Sequence, residues 1–298
     1  RGTAPGMPSS GGMTLDISLT TAEEVAVEPK NPYKGLRSFQ QADAEDFYGR
    51  DHLINDLLYR LSTDGDNWDF LAVVGPSGSG KSSAVKAGLI PRIQDGLLDE
   101  TITWFTTDMV PGTHPLEELE AALLSIATND VPGLLDQLRE DERGLVRAVR
   151  RILPDDESQF VLFIDQFEEV FTIVEDEDAR AHFLTSILNA AVDERSRIKI
   201  VITMRADFYD RPLLYAKFGE LIRKRTELVL PLTDDELEQA IVGPAKRVGL
   251  VMERGLVQAI ISDVKTSPGA LPLLQYALTE LFERREGRSL TLDAYRDI

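Results

Sequence analysis

The residue order predicts an α/β fold, a five-stranded parallel sheet covered on both faces, followed by a small all-helical region. Three observations carry this expectation. Apolar or β-branched runs recur at Phe70 to Val74, Ile102 to Thr106, Phe160 to Ile164, Ile198 to Met204 and Thr226 to Leu230. They are apolar throughout rather than alternating, which is the pattern of strands buried on both faces. Between them lie stretches of 3.6-residue period, such as Leu116, Leu119, Leu123 and Ile126, and then Phe183, Leu184, Ile187, Leu188 and Ala191. Each gathers its apolar residues on one helix face, and alternation of the two kinds of segment is the signature of a doubly wound sheet. After Leu232 no further strand is expected. Only helical stripes remain, at Leu237, Ala240, Ile241 and Ala245, at Leu256, Ile260 and Ile261, and at Leu274, Leu278, Leu281 and Phe282.

Ahead of the first strand, a Pro- and Gly-punctuated lead-in from Asn31 gives way to Leu53, Leu57, Leu58 and Leu61 at helical spacing, predicting a helix from about Asp51 to Ser62. Residues 1–30 are rich in Gly, Ser, Thr, Pro and Glu, the composition of a disordered linker. The expected organisation is therefore a linker over 1–30, an α/β domain over 31–232 and a helical domain over 233–298. The chain starts without Met and ends at "LTLDAYRDI", as if a new helix had begun, so it reads as a piece of something longer.

Composition narrows the function. With 43% hydrophobic and 28% charged residues the 298-residue chain has ordinary globular content. No apolar run approaches the roughly 18 residues that span a bilayer. The 32 basic residues against 51 acidic ones leave a net charge of −19, which repels nucleic-acid phosphates, so no direct nucleic-acid or membrane partner is expected. There are no cysteines, and His52, His114 and His182 lie far apart. Disulfides and thiolate metal sites are excluded, zinc chemistry is disfavoured, and a cytoplasmic location fits. No secretory signal and no repeat of 20 to 50 residues is present.

The stretch "FLAVVGPSGSGKSSAVKAGL" from Phe70 carries the chemistry. Gly75, Gly80, Lys81 and Ser82 match G-x-x-x-x-G-K-[ST], placed after a buried strand and before a helix bearing Val85 and Leu89. Backbone N–H groups of residues 77–82 at a helix N-terminus converge on a phosphate, favoured by unsatisfied amides and the helix dipole. The candidate phosphate-binding residues are Gly75, Pro76, Ser77, Gly78, Ser79, Gly80, Lys81, Ser82 and Ser83. Lys81 reaches the β- and γ-phosphates, and Ser82 is a magnesium ligand.

A second acidic element follows in "FVLFIDQFEEVF". Asp165 projects from the end of a buried strand, fitting a direct or indirect Mg²⁺ partner. Either Glu168 or Glu169 could orient or deprotonate an attacking water, and both are equally read as first-turn acids complementing a helix dipole.

Taken together, "FYGRDHLINDLLYRL", the phosphate loop, "VLFIDQFEEVF", "IVITMRADFYD" and "PGALPLLQYAL" resemble the STAND class of signalling NTPases, relatives of the NACHT and NB-ARC switch proteins. Within that class the chain is most similar to the bacterial novel-STAND NTPases often fused to WD-repeat arrays. The resemblance runs from about Asn31 to the end. It implies that Tyr48, Gly49 and Arg50 lie against adenine and ribose, although "YGRD" also reads as a turn before a helix. It implies that Arg205 senses the γ-phosphate, and that Pro272 packs on the adenine of a closed, ADP-bound form. The Asp-Gln pair at 165 and 166 departs from the Asp-acid pair of many fast ATPases, and the resemblance implies winged-helix and sensor regions downstream of "LTLDAYRDI", the start of which falls in the helical domain. No N-K-x-D guanine signature occurs, so ATP is favoured over GTP. The implied function is a slow ATPase acting as an ATP/ADP switch, with self-association on activation and protein partners outside this segment. A turnover ATPase or phosphotransferase is the alternative.

Overall fold

The computed structural model describes residues 2, 28–62, 69–265, 269 and 271–298, so most of the expected linker lies outside the described residues. The strands are β1 (Phe70–Gly75), β2 (Trp104–Met109), β3 (Gln159–Ile164), β4 (Ile198–Arg205) and β5 (Thr226–Leu228). They form one parallel sheet in the order β2-β3-β4-β1-β5.

Two apolar layers sandwich the sheet, because successive side chains of a strand point to opposite faces. Phe70, Ala72 and Val74 of β1 join Phe160, Leu162, Ile200 and Ile202 on one face. There they meet α4 (Pro115–Ile126), α5 (Leu134–Glu140), α6 (Gly144–Ile152), α8 (Glu177–Val192) and α9 (Ala216–Lys224). Leu71, Val73, Val161, Phe163 and Val201 line the other face against α1 (Asp51–Ser62) and the segment after the phosphate loop. That segment comprises α2 (Lys81–Ser83), a π-helical turn over Ala84–Leu89 and α3 (Ile90–Gln94). A Cβ at Gly88 would lie 2.5 Å from Ile54 Cδ1, so glycine is what lets the π-helical turn seat against α1. A short α7 (Glu169–Thr172) follows β3.

The expected helix over Asp51 to Ser62 forms with those bounds, and it buries Leu53, Ile54, Leu57, Leu58 and Leu61. Each such leucine contributes roughly 1.5–3 kcal/mol of transfer free energy. The second strand sits two residues later than expected. Asp99 accepts hydrogen bonds from the Thr101 N–H and hydroxyl, and this turn takes Ile102 out of the ladder. The fifth strand ends at Leu228 rather than Leu230, where Arg50 takes the Leu230 carbonyl.

The C-terminal lobe packs α10 (Asp234–Arg247), α11 (Leu256–Lys265), α12 (Leu271–Glu283) and α13 (Leu292–Arg296) around Leu237, Ile241, Ile260, Leu278 and Leu281. It also holds a strand pair that the periodicity did not anticipate, β6 (Val251–Met252) with β7 (Ser289–Leu290). Two residues are too few to show any period. A Thr233–Glu236 capping box starts α10, supplying partners for N–H groups that a helix start otherwise leaves open.

The lead-in from Glu28 to Tyr48 is a strap across both lobes. Tyr33 is buried in the core of the helical lobe and donates to the Ile241 carbonyl at 2.7 Å. Burial, with the nearby Asp46 charge, pushes its phenol well above the usual tyrosine range. Farther on, the Phe39 N–H donates to Ser83 Oγ beside the phosphate loop at 3.1 Å. Among the described residues no helix is long and apolar enough to cross a membrane.

Candidate functional site

Strand order decides what meets at the site. Because β4 lies between β1 and β3, the C-terminal residues of β4 stand between the phosphate loop after β1 and Asp165 after β3. Thr203 pairs in register with Val73, and Arg205 with Gly75.

The phosphate loop turns on two glycines in the left-handed region, Gly78 at φ +73° and Gly80 at φ +87°. Gly75 is needed for a different reason, since a Cβ there would lie 2.9 Å from Ser79 Oγ and 3.1 Å from Val229. Lys81 is buried at 8% exposure, with Nζ donating to the carbonyls of Gly75 at 3.0 Å and Pro76 at 2.8 Å. Desolvation lowers its pKa. The charges of Glu168 and Asp165 oppose that, Arg205 adds to it, and Asp207 opposes it. The charges of Glu168 and Asp165 thus help to keep Lys81 a cation, the form that would meet the anionic tail of a phosphate ligand.

Asp165, 6% exposed, is held by three donors to Oδ1: the Thr203 hydroxyl at 2.5 Å, the Ser82 hydroxyl at 2.6 Å and the Gln166 N–H at 3.1 Å. Gln166 has φ 54°, an unusual value for a non-glycine residue. That turn aims its N–H at both Asp165 and Thr203 Oγ1. On the outer side, Lys86 Nζ lies 2.9 Å from Asp108 Oδ2 and 3.8 Å from Asp165 Oδ2. Thr203 is not singled out by the sequence analysis; its one signal is a lone hydroxyl among the apolar Val201, Ile202 and Met204.

The two glutamates part ways. Glu168 accepts from the Arg205 N–H at 3.2 Å, toward the phosphate loop, whereas Glu169 accepts from the Gly112 N–H at 3.1 Å, toward the loop after β2. The Arg205 guanidinium forms a forked pair with Asp207 and lies over the Phe208 ring. The Asp207 hydrogen bonds raise its pKa further.

A cavity of about 230 Å³ opens beside the loop. Its floor is Gly78, Gly80, Lys81, Ser82 and Ser83, and its walls come from Gly35–Phe39, from Asp46, Phe47, Tyr48 and Arg50, and from the helical lobe through Ala240, Leu271, Pro272, Leu274 and Gln275. Pro272 lies directly over the loop: a Cβ at Gly78 would be 3.2 Å from its Cγ. Tyr48 packs against α10, where a Cβ at Gly243 would lie 2.5 Å from its ring. Gly49, at φ +82°, has no room for a side chain, since a Cβ would fall 2.2 Å from the Glu236 carbonyl oxygen. Arg50, 6% exposed, donates to the carbonyls of Leu230 at 2.8 Å and Ser79 at 2.9 Å. Desolvation lowers its pKa, against a raising charge on Glu236. Tyr48-Gly49-Arg50 is therefore both a cavity wall and the joint between phosphate loop, sheet edge and α10.

The residues present fit a nucleoside phosphate. The Ser79 hydroxyl is buried with no hydrogen-bond partner, and the first-turn amides of α2 lack intrahelical acceptors by geometry; phosphate oxygens would satisfy both. Ser82 beside Asp165 fits Mg²⁺, which takes few protein ligands and completes its shell with phosphate oxygens and water.

Loop, strand-end acid and sheet order together define a P-loop NTPase. The family model described as Novel STAND NTPase 1 matches residues 32–298, and the chain belongs to that family. No curated protein matches the sequence. Among solved structures the chain is similar to Drosophila ORC bound to DNA, with a TM-score of 0.60 at 14% identity over 99% of this chain and 69% of that one. It is also similar to the Aeropyrum pernix ORC1 protein in complex with DNA, TM-score 0.57 at 14% identity over 86% and 66%. A third likeness is to the Aeropyrum pernix ORC2 protein in ADPNP-ADP complexes, TM-score 0.53 at 17% identity over 87% and 68%. At such identities these likenesses establish the fold.

Proposed function

We propose that this chain is an adenine-nucleotide switch: ADP bridges the two lobes and holds them closed, and exchange for Mg-ATP favours an open, self-associating form. The observation that carries the reading is the shared cavity, with the phosphate loop on one side and Pro272 and Gln275 on the other. A ligand touching both lobes in one arrangement and one lobe in another has the differential affinity that shifts a conformational equilibrium. Moving a population from 1:99 to 99:1 takes about 5.5 kcal/mol, which a bound nucleotide can supply only if both lobes contribute.

Within this reading Lys81 and the loop amides bind the phosphates, while Ser82 and Asp165 hold Mg²⁺, which neutralises phosphate charge when bound. Glu168 is the better placed of the two glutamates to orient water, because Glu169 is turned toward Gly112. Arg205 answers the terminal phosphate by leaving Asp207. The net charge of −19 supports protein rather than nucleic-acid partners; the DNA in the neighbouring complexes belongs to those proteins.

A turnover ATPase is the second reading, favoured by the intact Lys81, Ser82 and Asp165. Multiple-turnover measurements separate the two, since a switch needs about one hydrolysis per cycle whereas typical enzymes run at roughly 1–10³ per second. The switch also predicts that Pro272→Ala, losing its ring contact with the loop, releases ADP about three- to tenfold faster. Equal release rates for the two proteins would count against it.

A further inference from the structure

Outside the phosphate loop, the polar side chains lining the cavity are Arg37, Ser38, Asp46, Tyr48, Arg50 and Gln275. Most are committed or at the rim. Asp46 is paired with Lys34 and Arg247, Arg50 is spent on two carbonyls, and Ser38 accepts from Gln40. Arg37, Ser38 and Tyr48 are exposed. Gln275 differs. It is half-buried, and its Oε1 accepts the Lys34 N–H at 3.3 Å. An N–H can only face the oxygen of an amide, so this bond settles which end is which. The Nε2 group is left as a donor with no protein partner among the described residues. Gln275 also lies one helical turn after Pro272, on the same face of α12.

We infer that Gln275 selects the base: its fixed amide donor pairs with the N1 acceptor of a 6-aminopurine and rejects guanine, whose N1 carries a hydrogen. This rests on the reading of the cavity as a nucleotide site. The physical warrant is that a donor held against a donor leaves both unpaired in a partly dry cavity, a cost worth tenfold to a hundredfold in affinity. The backbone of the strap thereby sets specificity at a distance, by holding the amide in one orientation.

Calorimetric titrations of ADP and GDP into the wild-type chain, Gln275→Glu and Gln275→Leu test the inference. Gln275→Glu keeps an acceptor for the Lys34 N–H but presents a second acceptor to the base. The expected result is that wild type prefers ADP by about thirtyfold or more, and that Gln275→Glu weakens ADP about tenfold to a hundredfold while GDP holds or tightens, so that the preference disappears. Gln275→Leu is expected to weaken ADP with little change in GDP. Because the added charge acts on both nucleotides alike, the ADP-to-GDP ratio is the readout. An unchanged ratio in both variants, whether both affinities fall together or neither moves, overturns the assignment. Lys81→Ala serves as the separate check on the site: if it leaves ADP affinity intact, the nucleotide reading fails first, independently of Gln275.

Discussion

The two ends of the cavity are built in opposite ways. At the phosphate end, one run of residues from Gly75 to Ser83 supplies glycine turns, helix-start amides, ammonium and hydroxyl, and its geometry follows from local backbone chemistry. At the end proposed to take the base, the wall is assembled from Gly35–Phe39, Tyr48, Ala240, Pro272 and Gln275, residues brought together only by the packing of two lobes and a strap. A contiguous site is robust to motion between lobes, whereas a composite one exists only while the lobes are closed. Under the proposed switch, that asymmetry is what lets a nucleotide report on lobe closure.

The largest effect that probes the contrast is expected at the contiguous end. Lys81→Ala should cost about 3 kcal/mol of ADP affinity, roughly a hundredfold, by calorimetry. The unliganded chain should lose no more than about 2 kcal/mol, because the carbonyls of Gly75 and Pro76 lose their donor while the desolvation of the ammonium is relieved. A large drop in melting temperature without ligand would instead make Lys81 a structural residue.

Next comes Arg50, which joins the two ends. Arg50→Ala leaves the carbonyls of Leu230 and Ser79 without their donor and should cost about 2–4 kcal/mol in urea unfolding. Arg50→Lys should restore little, since one ammonium does not reproduce a forked guanidinium. Full rescue by lysine would show that charge alone matters there.

The smallest effect belongs to the strap. Desolvation raises Asp43, but hydrogen bonds from Lys34 and Gln40 and the charges of Lys34 and Arg37 outweigh it, so its pKa falls below the usual carboxylate range. A depressed carboxylate stabilises fully above its unfolded pKa and loses that contribution as pH falls through the folded one. Wild type should therefore exceed Asp43→Asn by less than about 1 kcal/mol at pH 7, and the gap should narrow as pH falls from the unfolded carboxylate value through the lowered folded one. A gap that does not change across that acid range would contradict the assignment.

The same contrast explains what was legible in the sequence. The phosphate loop, Asp165 and the strand-helix alternation were readable because each depends on neighbours in the chain. The wall residues Gly35–Phe39 and Gln275 were not, since nothing local marks a glutamine in "LPLLQYAL" as lining a cavity. Thr203 became meaningful only through the position of β4 between β1 and β3. The separation of Glu168 from Glu169 likewise follows from what each acid meets, Arg205 on one side and Gly112 on the other.

The absence of native cysteines makes the central claim directly measurable. Cysteines introduced at the exposed positions Asp136 on α5 and Glu238 on α10 carry spin labels on the two lobes, and their distance distribution is recorded with and without saturating ADP. Closure by a bridging nucleotide predicts that ADP narrows the distribution and that Lys81→Ala abolishes the change. An identical distribution in both conditions, with ADP binding verified on the same labelled sample, would contradict a nucleotide that couples the lobes.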